Sequence, residues 1–161
     1  MANIKTNAVR LLDVKKIEYI LREYEAPDGF LDGVSVAKAT GLEPERVFKT
    51  LVTQGASKEY LVCVIPVAHE LDLKKAAKHF GEKKVEMILA RDITKVTGYI
   101  KGGCSPVGMK KLFLTAIDKS ASNFERIVVS AGKVGLQMDL PVKDLLEVTS
   151  AKLADLIAYH C

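Results

Sequence analysis

Two apolar runs separated by one short turn constrain this chain more than any other feature. Residues 47–52, Val-Phe-Lys-Thr-Leu-Val, predict a strand, and 59–66 predict a second through Tyr60, Leu61, Val62, Cys63, Val64 and Ile65. Gly55-Ala56-Ser57-Lys58 lies between them, so the pair is expected to fold back as an antiparallel hairpin. At period two, Val47, Lys49 and Leu51 share one face of the first strand, while Phe48 and Val52 share the other. Both faces are apolar, which predicts a strand buried on both sides. Lys49 is the exception. A charged amine at such a position needs a partner or an opening, because burying it alone is costly. Two readings are open: a side chain that snorkels at an edge, or one that faces a ligand.

The rest of the chain mixes strands and short helices without a βαβ rhythm. Thr6 or Asn7 is placed to cap a first helix to residue 15, and 17–24 predict a strand. Pro27-Asp28-Gly29 signals a turn, and Ser35 is expected to cap a short helix closed by Gly41. Pro44 opens a further helical turn. Asp72 and Gly81 bracket a helix carrying Leu73, Ala76, Ala77 and Phe80. Short helices are also expected from residue 84 to 88 and from 93 to 97, the second capped by Asp92 and ended by Gly98. Residues 111–117, 126–130 and 135–140 predict strands, with Ser130-Ala131-Gly132-Lys133-Val134-Gly135 as a loop that exposes N–H groups and a hydroxyl. Pro141 suits the first turn of a helix to residue 147, and Ser150 is expected to cap a last one burying Leu153, Leu156 and Ile157. This irregular alternation predicts an α+β fold, and 161 residues without a linker predict a single domain over 1–161.

A second unusual stretch is Gly98-Tyr99-Ile100-Lys101-Gly102-Gly103-Cys104-Ser105-Pro106-Val107-Gly108, which holds four of the eleven glycines. It is either a tight connection between strands or a run whose freed N–H groups hold an anion. Lys101, Lys110 and Lys111 flank it, and the formal net charge is +4, which permits an anionic partner without requiring one. Lys74, Lys75, Lys78, Lys83 and Lys84 form another basic group, with a solvated helix face and a nucleic-acid contact as its two readings.

Motifs of other chemistries are missing. Cys63, Cys104 and Cys161 are odd in number and widely spaced, and His69, His79 and His160 form no ligand pair, so neither a disulfide framework nor a metal site is expected. Cys63 suits a small core hydrophobe. There is no Gly-x-Ser-x-Gly elbow, Walker loop or Gly-x-Gly-x-x-Gly fingerprint. Cys104 has no neighbouring His in sequence to activate it, although His69 or His79 could approach in space. No apolar run reaches membrane-spanning length and the first residues lack a signal-peptide core, so a cytoplasmic protein is expected. What remains is equipment for gripping an anion and aiming N–H donors at a carbonyl.

The sequence resembles the YbaK/EbsC family of free-standing aminoacyl-tRNA deacylases, relatives of the editing domain inserted in some prolyl-tRNA synthetases. The resemblance is carried in order by Phe48-Lys49-Thr50-Leu51, Leu73-Lys74-Lys75-Ala76-Ala77-Lys78, Lys83-Lys84-Val85-Glu86-Met87 and Thr97-Gly98-Tyr99. It continues through Gly102-Gly103-Cys104-Ser105-Pro106-Val107-Gly108 and Val129-Ser130-Ala131-Gly132-Lys133, then Gly135-Leu136. It implies a mixed, partly barrel-like sheet flanked by short helices, and trans-editing of Cys-tRNA(Pro) with no cofactor or metal. The alternatives are Ala-tRNA(Pro) deacylation or a non-catalytic module that binds a tRNA acceptor end or a nucleotide.

The resemblance further implies that Lys49, Gly102, Gly103 and Ser130 carry the chemistry and that Tyr24, Phe30, Thr50, Ser105, Gly132 and Gln137 bind substrate. Lys49 would hold the terminal phosphate or sugar, and N–H groups around Gly102 and Gly103 would meet the oxyanion. The substrate's own thiol would attack its ester. The expected partners are the aminoacylated 3′ end of tRNA and prolyl-tRNA synthetase. Two positions depart from the pattern: Asp32 stands where an aromatic is usual, with Phe30 close by, and Gln137 where some members carry Asp.

Overall fold

A computed structural model describes residues 5–25 and 32–159. The expected hairpin is at its centre. Strands β2 (Phe48–Gly55) and β3 (Tyr60–Pro66) pair antiparallel from Phe48 opposite Pro66 to Gln54 opposite Tyr60. The turn uses Lys58 at φ 77°, and its N–H donates to the Gly55 carbonyl at 2.9 Å. On β2, Phe48 joins one core and Leu51 packs on another, so both faces are covered, although Lys49, Thr50 and Leu51 stay partly exposed. Val62 and Val64 join a core with α1 (Asn7–Val14) and α5 (Val142–Thr149). Leu61, Cys63 and Ile65 pack with Ala76 and Ala77 of α3 (Leu73–Phe80) and with Leu156 and Ile157.

β2 and β3 belong to a mixed five-stranded sheet in which β4 (Val85–Met87) lies beside β2, and β5 (Leu114–Asp118) and then β8 (Lys152–Ala154) follow beyond β3. β5 runs parallel to β3, and β8 parallel to β5. The other sheet is antiparallel, β1-β7-β6, from β1 (Ile20–Glu23), β6 (Arg126–Lys133) and β7 (Leu136–Pro141). A lone parallel bridge, Val47 to Val128, joins the sheets along one seam. The result is an α+β fold whose sheets curl toward each other and do not close into a barrel.

Several local signals hold. Thr6 accepts from the Val9 N–H at 3.1 Å and donates to the Ala131 carbonyl, which anchors the start of α1 on β6. Asp72 accepts from Lys74 and Lys75 N–H at 2.9 and 3.1 Å, and Gly81 closes α3 in the left-handed region. Pro44–Arg46 forms a 3-10 turn. Gly98 closes α4 (Ile93–Thr97), although the Asp92 side chain makes no capping bond.

Other expectations are corrected. Residues 84–88 form no helix; β4 (Val85–Met87) pairs antiparallel with the far end of β2, because an open strand edge outweighs local helix propensity. Ser150 caps no last helix. It ends α5 at φ 56°, and the chain continues as β8 along the free edge of β5. Leu156 and Ile157 are buried as expected, but Leu153 is 38% exposed. Asp32, not Ser35, caps α2 (Gly33–Ala39), accepting from the Ser35 N–H at 2.8 Å and its hydroxyl at 3.0 Å. The expected loop at 130–135 is mostly strand, since β6 runs to Lys133 through a register shift after Ser130. The strand expected over 17–24 is shorter, at Ile20–Glu23. The Pro27-Asp28-Gly29 turn and Phe30 lie outside the described residues.

Candidate active site at the sheet seam

The seam leaves a polar cavity of about 170 Å³ where the start of β2 meets the end of β6. Val47, Phe48, Lys49 and Thr50 border it in succession. A cavity at the end of a sheet, rather than over one face, can touch consecutive residues of a strand. Ser130 and Gln137, a registered β6–β7 pair, supply the opposite wall. Tyr24 follows β1 and is held by its N–H, which donates to the Gly135 carbonyl at 2.9 Å. Gly102 and Cys104 enter from the glycine run, and Gly33, Val36 and Val67 complete the lining.

Lys49 faces this cavity. Burial lowers its pKa from the ordinary 10.5, and the nearby Glu70 charge works in the opposite direction. Lys49 is therefore a half-buried cation at an opening, as the ligand-facing reading requires. Two polar atoms on the same lining are cut off from water and have no hydrogen-bond partner among the described residues, Thr50 Oγ1 and Gln137 Oε1. Gln137 is only 6% exposed. A buried carbonyl oxygen without a donor costs free energy that an incoming N–H or O–H group recovers.

Of the residues expected at the site, the fold gathers Tyr24, Lys49, Thr50, Gly102, Ser130 and Gln137 on the lining. Gly103, Ser105 and Gly132 stand behind it and shape the glycine run. The Gly103 N–H donates to the Ile100 carbonyl at 3.0 Å, closing a turn. A Cβ at Gly103 would lie 2.9 Å from the Val134 nitrogen and 3.1 Å from Lys133 Cα, so only glycine lets the run press against the β6–β7 turn. Ser105 is fully buried, and its hydroxyl accepts from the Val107 N–H at 3.2 Å. The Gly132 N–H donates to the Ser130 hydroxyl at 3.1 Å, which orients that hydroxyl.

Tyr99 was not singled out by any sequence argument about the site, yet it fastens the run. Its hydroxyl donates to the Val107 carbonyl at 2.6 Å and its N–H to Thr97 Oγ1 at 3.0 Å. Its ring lies so close to Gly132, at φ 100°, that a Cβ there would meet Cε1 at 2.7 Å. The available signals are an aromatic next to a helix-ending glycine and its place in the Thr97-Gly98-Tyr99 segment of the family resemblance. Gly33, Val36 and Val67 gave no signal, because their place depends on how α2 packs on the seam.

Cys104 borders the cavity, but burial pushes its thiol up to about 11, with Thr97 as its hydrogen-bonding neighbour. A thiol held protonated is a poor nucleophile. Among the described residues no three His, Cys, Asp or Glu side chains converge as a metal site would need.

A sequence profile described as "Aminoacyl-tRNA editing domain" matches residues 32–148, which span the whole cavity except Tyr24. The chain belongs to the aminoacyl-tRNA editing family. Within this family it is 45% identical over 152 residues to an Enterococcus faecalis protein named "Putative Cys-tRNA(Pro)/Cys-tRNA(Cys) deacylase EbsC", covering 94% of this chain and 93% of that one. It is 26% identical over 132 residues to the proline–tRNA ligase of Burkholderia vietnamiensis, where the match covers 75% of this chain and 23% of the ligase. The fold recurs in a crystal structure titled "a putative trans-editing enzyme for prolyl tRNA synthetase", with a TM-score of 0.82 at 22% identity, over 98% of this chain and all of that one. Membership of the editing family makes an aminoacylated tRNA the class of substrate.

Proposed function

We propose that this editing-family protein is a cytoplasmic trans-acting deacylase that clears cysteine from Cys-tRNA(Pro), alone or beside prolyl-tRNA synthetase. The observation that carries the reading is the composition of the cavity. It joins a half-buried cation, backbone donors and two unsatisfied polar side chains. Its only lining thiol, Cys104, is held protonated, and among the described residues no histidine lines it to activate the Ser130 or Thr50 hydroxyl. The cavity is small, about 170 Å³, and open on one side, which suits a short aminoacyl group entering on the end of a longer chain.

Lys49 holds the phosphate or ribose of the terminal adenosine. The Gln137 carbonyl oxygen accepts from the α-ammonium group, and Thr50 and the hydroxyl of Ser130 complete the polar grip on the ester. Among the described residues, no acceptor takes the N–H of Gly102 or Cys104, in contrast to Gly103. These two N–H groups face the carbonyl oxygen and strengthen their hold as it becomes an oxyanion, while Gly103 fixes the loop that presents them. The substrate supplies the nucleophile. Its β-carbon thiol sulfur bonds to the ester carbonyl carbon, the carbon–oxygen bond to the ribose breaks, and the thiol proton ends on the departing ribose oxygen. Water then opens the four-membered thiolactone to free cysteine. Positioning of this kind is worth about 7–11 kcal/mol when reacting atoms are held in a near-attack geometry.

The test is a deacylation panel of Cys-, Ala-, Ser- and Pro-charged tRNA(Pro). A pocket that sorts by size or polarity separates similar side chains by only about 10–200-fold. Cys-tRNA is expected to be cleaved and Ser-tRNA, nearly equal in size, to resist beyond that range. Comparable rates on the two would remove the thiol route. The cavity is small enough to suit alanine, so Ala-tRNA(Pro) with water as the attacking group is the second reading. Protection of every ester without turnover would identify a binding module.

A further inference from the structure

Asp139 is a carboxylate buried to 2% exposure on the same sheet that lines the cavity, and three arginines converge on it. Arg46 donates to both its oxygens, at 3.3 and 3.0 Å, Arg126 Nε to Oδ1 at 3.0 Å, and Arg22 to Oδ2 at 3.1 Å. Those four bonds fill the acceptor sites of a carboxylate. Arg126 and Arg46 are also tied to backbone carbonyls, Arg126 to that of Asp139 at 2.7 Å and Arg46 to that of Arg126 at 3.3 Å. One negative charge is thus matched against three positive ones. The guanidinium-bearing side chains stay 22–33% exposed, so part of each reaches solvent. Holding one buried carboxylate does not require three cations.

The register places this cluster relative to the cavity. Arg22 pairs across the sheet with Gln137, and Gln137 with Ser130. Registered residues project to the same face, so Arg22 ends the row whose other two members line the cavity. The strand spacing puts it about 5 Å from Gln137. Asp139 and Val128 occupy the next row on that face, and Arg126 the row beyond. A ribbon of positive charge therefore leads from the cavity lining across β7. Arg22 is the least satisfied member, because its Nε is cut off from water with no acceptor among the described residues.

We infer that Arg22, Arg46 and Arg126, held in a fixed fan by Asp139, form a second binding site, for the phosphodiester backbone of the single-stranded RNA leading into the cavity. The inference rests on the reading of the cavity as the seat of an aminoacylated RNA end. It adds where the preceding nucleotides run and which groups hold them. Each guanidinium has more N–H donors than Asp139 takes, and those left over can donate to phosphate oxygens while the charge stays in place. Pinning three arginines on one carboxylate removes their rotational freedom before RNA arrives. Asp139 is a positioning residue in this arrangement, and the arginines are the contacts.

The experiment measures binding of a short, uncharged, fluorescently labelled single-stranded RNA ending in CCA, by anisotropy across a salt series. Each phosphate contact in a single strand contributes about 0.7 to the slope of log K against log salt. Arg22→Gln is expected to weaken binding about tenfold and to lower that slope by about 0.7. Arg22→Lys, which keeps the charge, should retain the slope. Lys152→Ala, an equal charge change on β8, should alter neither quantity. Parent affinity and slope in Arg22→Gln would overturn the inference, and so would an equal loss in Lys152→Ala. If Arg22→Gln does not fold, Arg46→Gln decides by the same criterion: a slope lowered by about 0.7 supports the site and a parent slope refutes it. Inorganic phosphate alone should compete poorly; displacement of RNA by phosphate at concentrations similar to the RNA would show a free-anion site instead. Because the RNA is uncharged, the readout is independent of ester cleavage. Arg22-dependent binding in a protein that deacylates nothing would remove the catalytic proposal and leave this one standing.

Discussion

Substituting Gly103 with alanine separates a packing glycine from a merely flexible one. The added Cβ would sit 2.9 Å from the Val134 nitrogen, 3.1 Å from Lys133 Cα and 3.1 Å from Lys133 C. All three are backbone atoms, so no side chain can swing aside. Relief to an ordinary contact near 3.4 Å requires the run and the β6–β7 turn to separate by about half an ångström. Overpacking of this kind costs about 1–3 kcal/mol. At about 2 kcal/mol, and 2–4 °C per kcal/mol for a chain of this length, the thermal midpoint should fall by about 6 °C. The same displacement moves the Gly102 and Cys104 N–H groups away from the developing oxyanion. A misplacement of 1 Å can cost about a hundredfold, so half that shift should lower kcat about tenfold with little change in KM. Differential scanning calorimetry and deacylation of Cys-tRNA(Pro) read the two effects. Gly41→Ala is the control: its Cβ meets nothing within 4 Å although φ is 73°, so it should lose stability through backbone strain and keep its kcat. A Gly103→Ala protein with parent midpoint and parent rate would refute the argument that close approach to the turn sets the loop.

Lys49→Met should lower deacylation by about 10–150-fold, the value of a charge-assisted hydrogen bond, while the midpoint stays level or rises because a desolvated charge is gone. Burial lowers the folded-state pKa of Lys49, so the unfolded chain holds the proton more tightly; parent stability should rise with pH between the folded value and the ordinary 10.5, and the variant should lack that rise in alkaline denaturant titrations. Cys104→Ser should keep most of its activity, whereas a loss above about a hundredfold with a trapped acyl-enzyme would move the nucleophile onto the protein. Burial alone would raise the pKa of Asp139, but hydrogen bonds from Arg46, Arg22 and Arg126 outweigh it and hold the pKa below the ordinary 3.8. Its contribution is therefore complete above that value and is lost as pH falls through the folded one. Asp139→Asn should cost about 3 kcal/mol, or about 9 °C by calorimetry at neutral pH, and should flatten the acid limb of the stability curve.

The parts of the fold legible in the sequence are those decided within a few residues. Asp72 and Gly81 bracket α3 because a cap and a left-handed stop are local chemistry. The hairpin around Gly55 is legible because two apolar runs flank one turn. Residues 84–88 were not, since their strand form depends on the exposed edge of β2. Ser150 was not either, since the edge of β5 draws the next residues into a strand. At the site, Lys49 stood out as a charge between apolar neighbours, and the glycine run stood out by composition. Ser130 and Gln137 are singled out by the family resemblance alone, and cross-strand register is what brings them to one wall of the cavity. Asp139 looked like one more polar residue in β7. Only the convergence of Arg22, Arg46 and Arg126 from three separate segments gives it meaning, and no window of sequence contains all four.

The seam at Val47 and Val128 has a mechanical consequence. Lys49 and Thr50 ride on one sheet, Ser130 and Gln137 on the other, and among the described residues the Val47–Val128 bridge ties the two together beside these pairs, next to the Arg46–Asp139 ion pair. The two sheets behave like the jaws of a caliper, with the bridge as its set screw. A change that trims or swells the apolar contact of Val47, Val128, Val67 and Ala37 resets the opening without touching a polar group. Substitutions in that small cluster are expected to change the width of the cavity while both hydrogen-bonded ladders stay intact, so a change of selectivity without loss of any polar group is the outcome to look for in Val128→Ala.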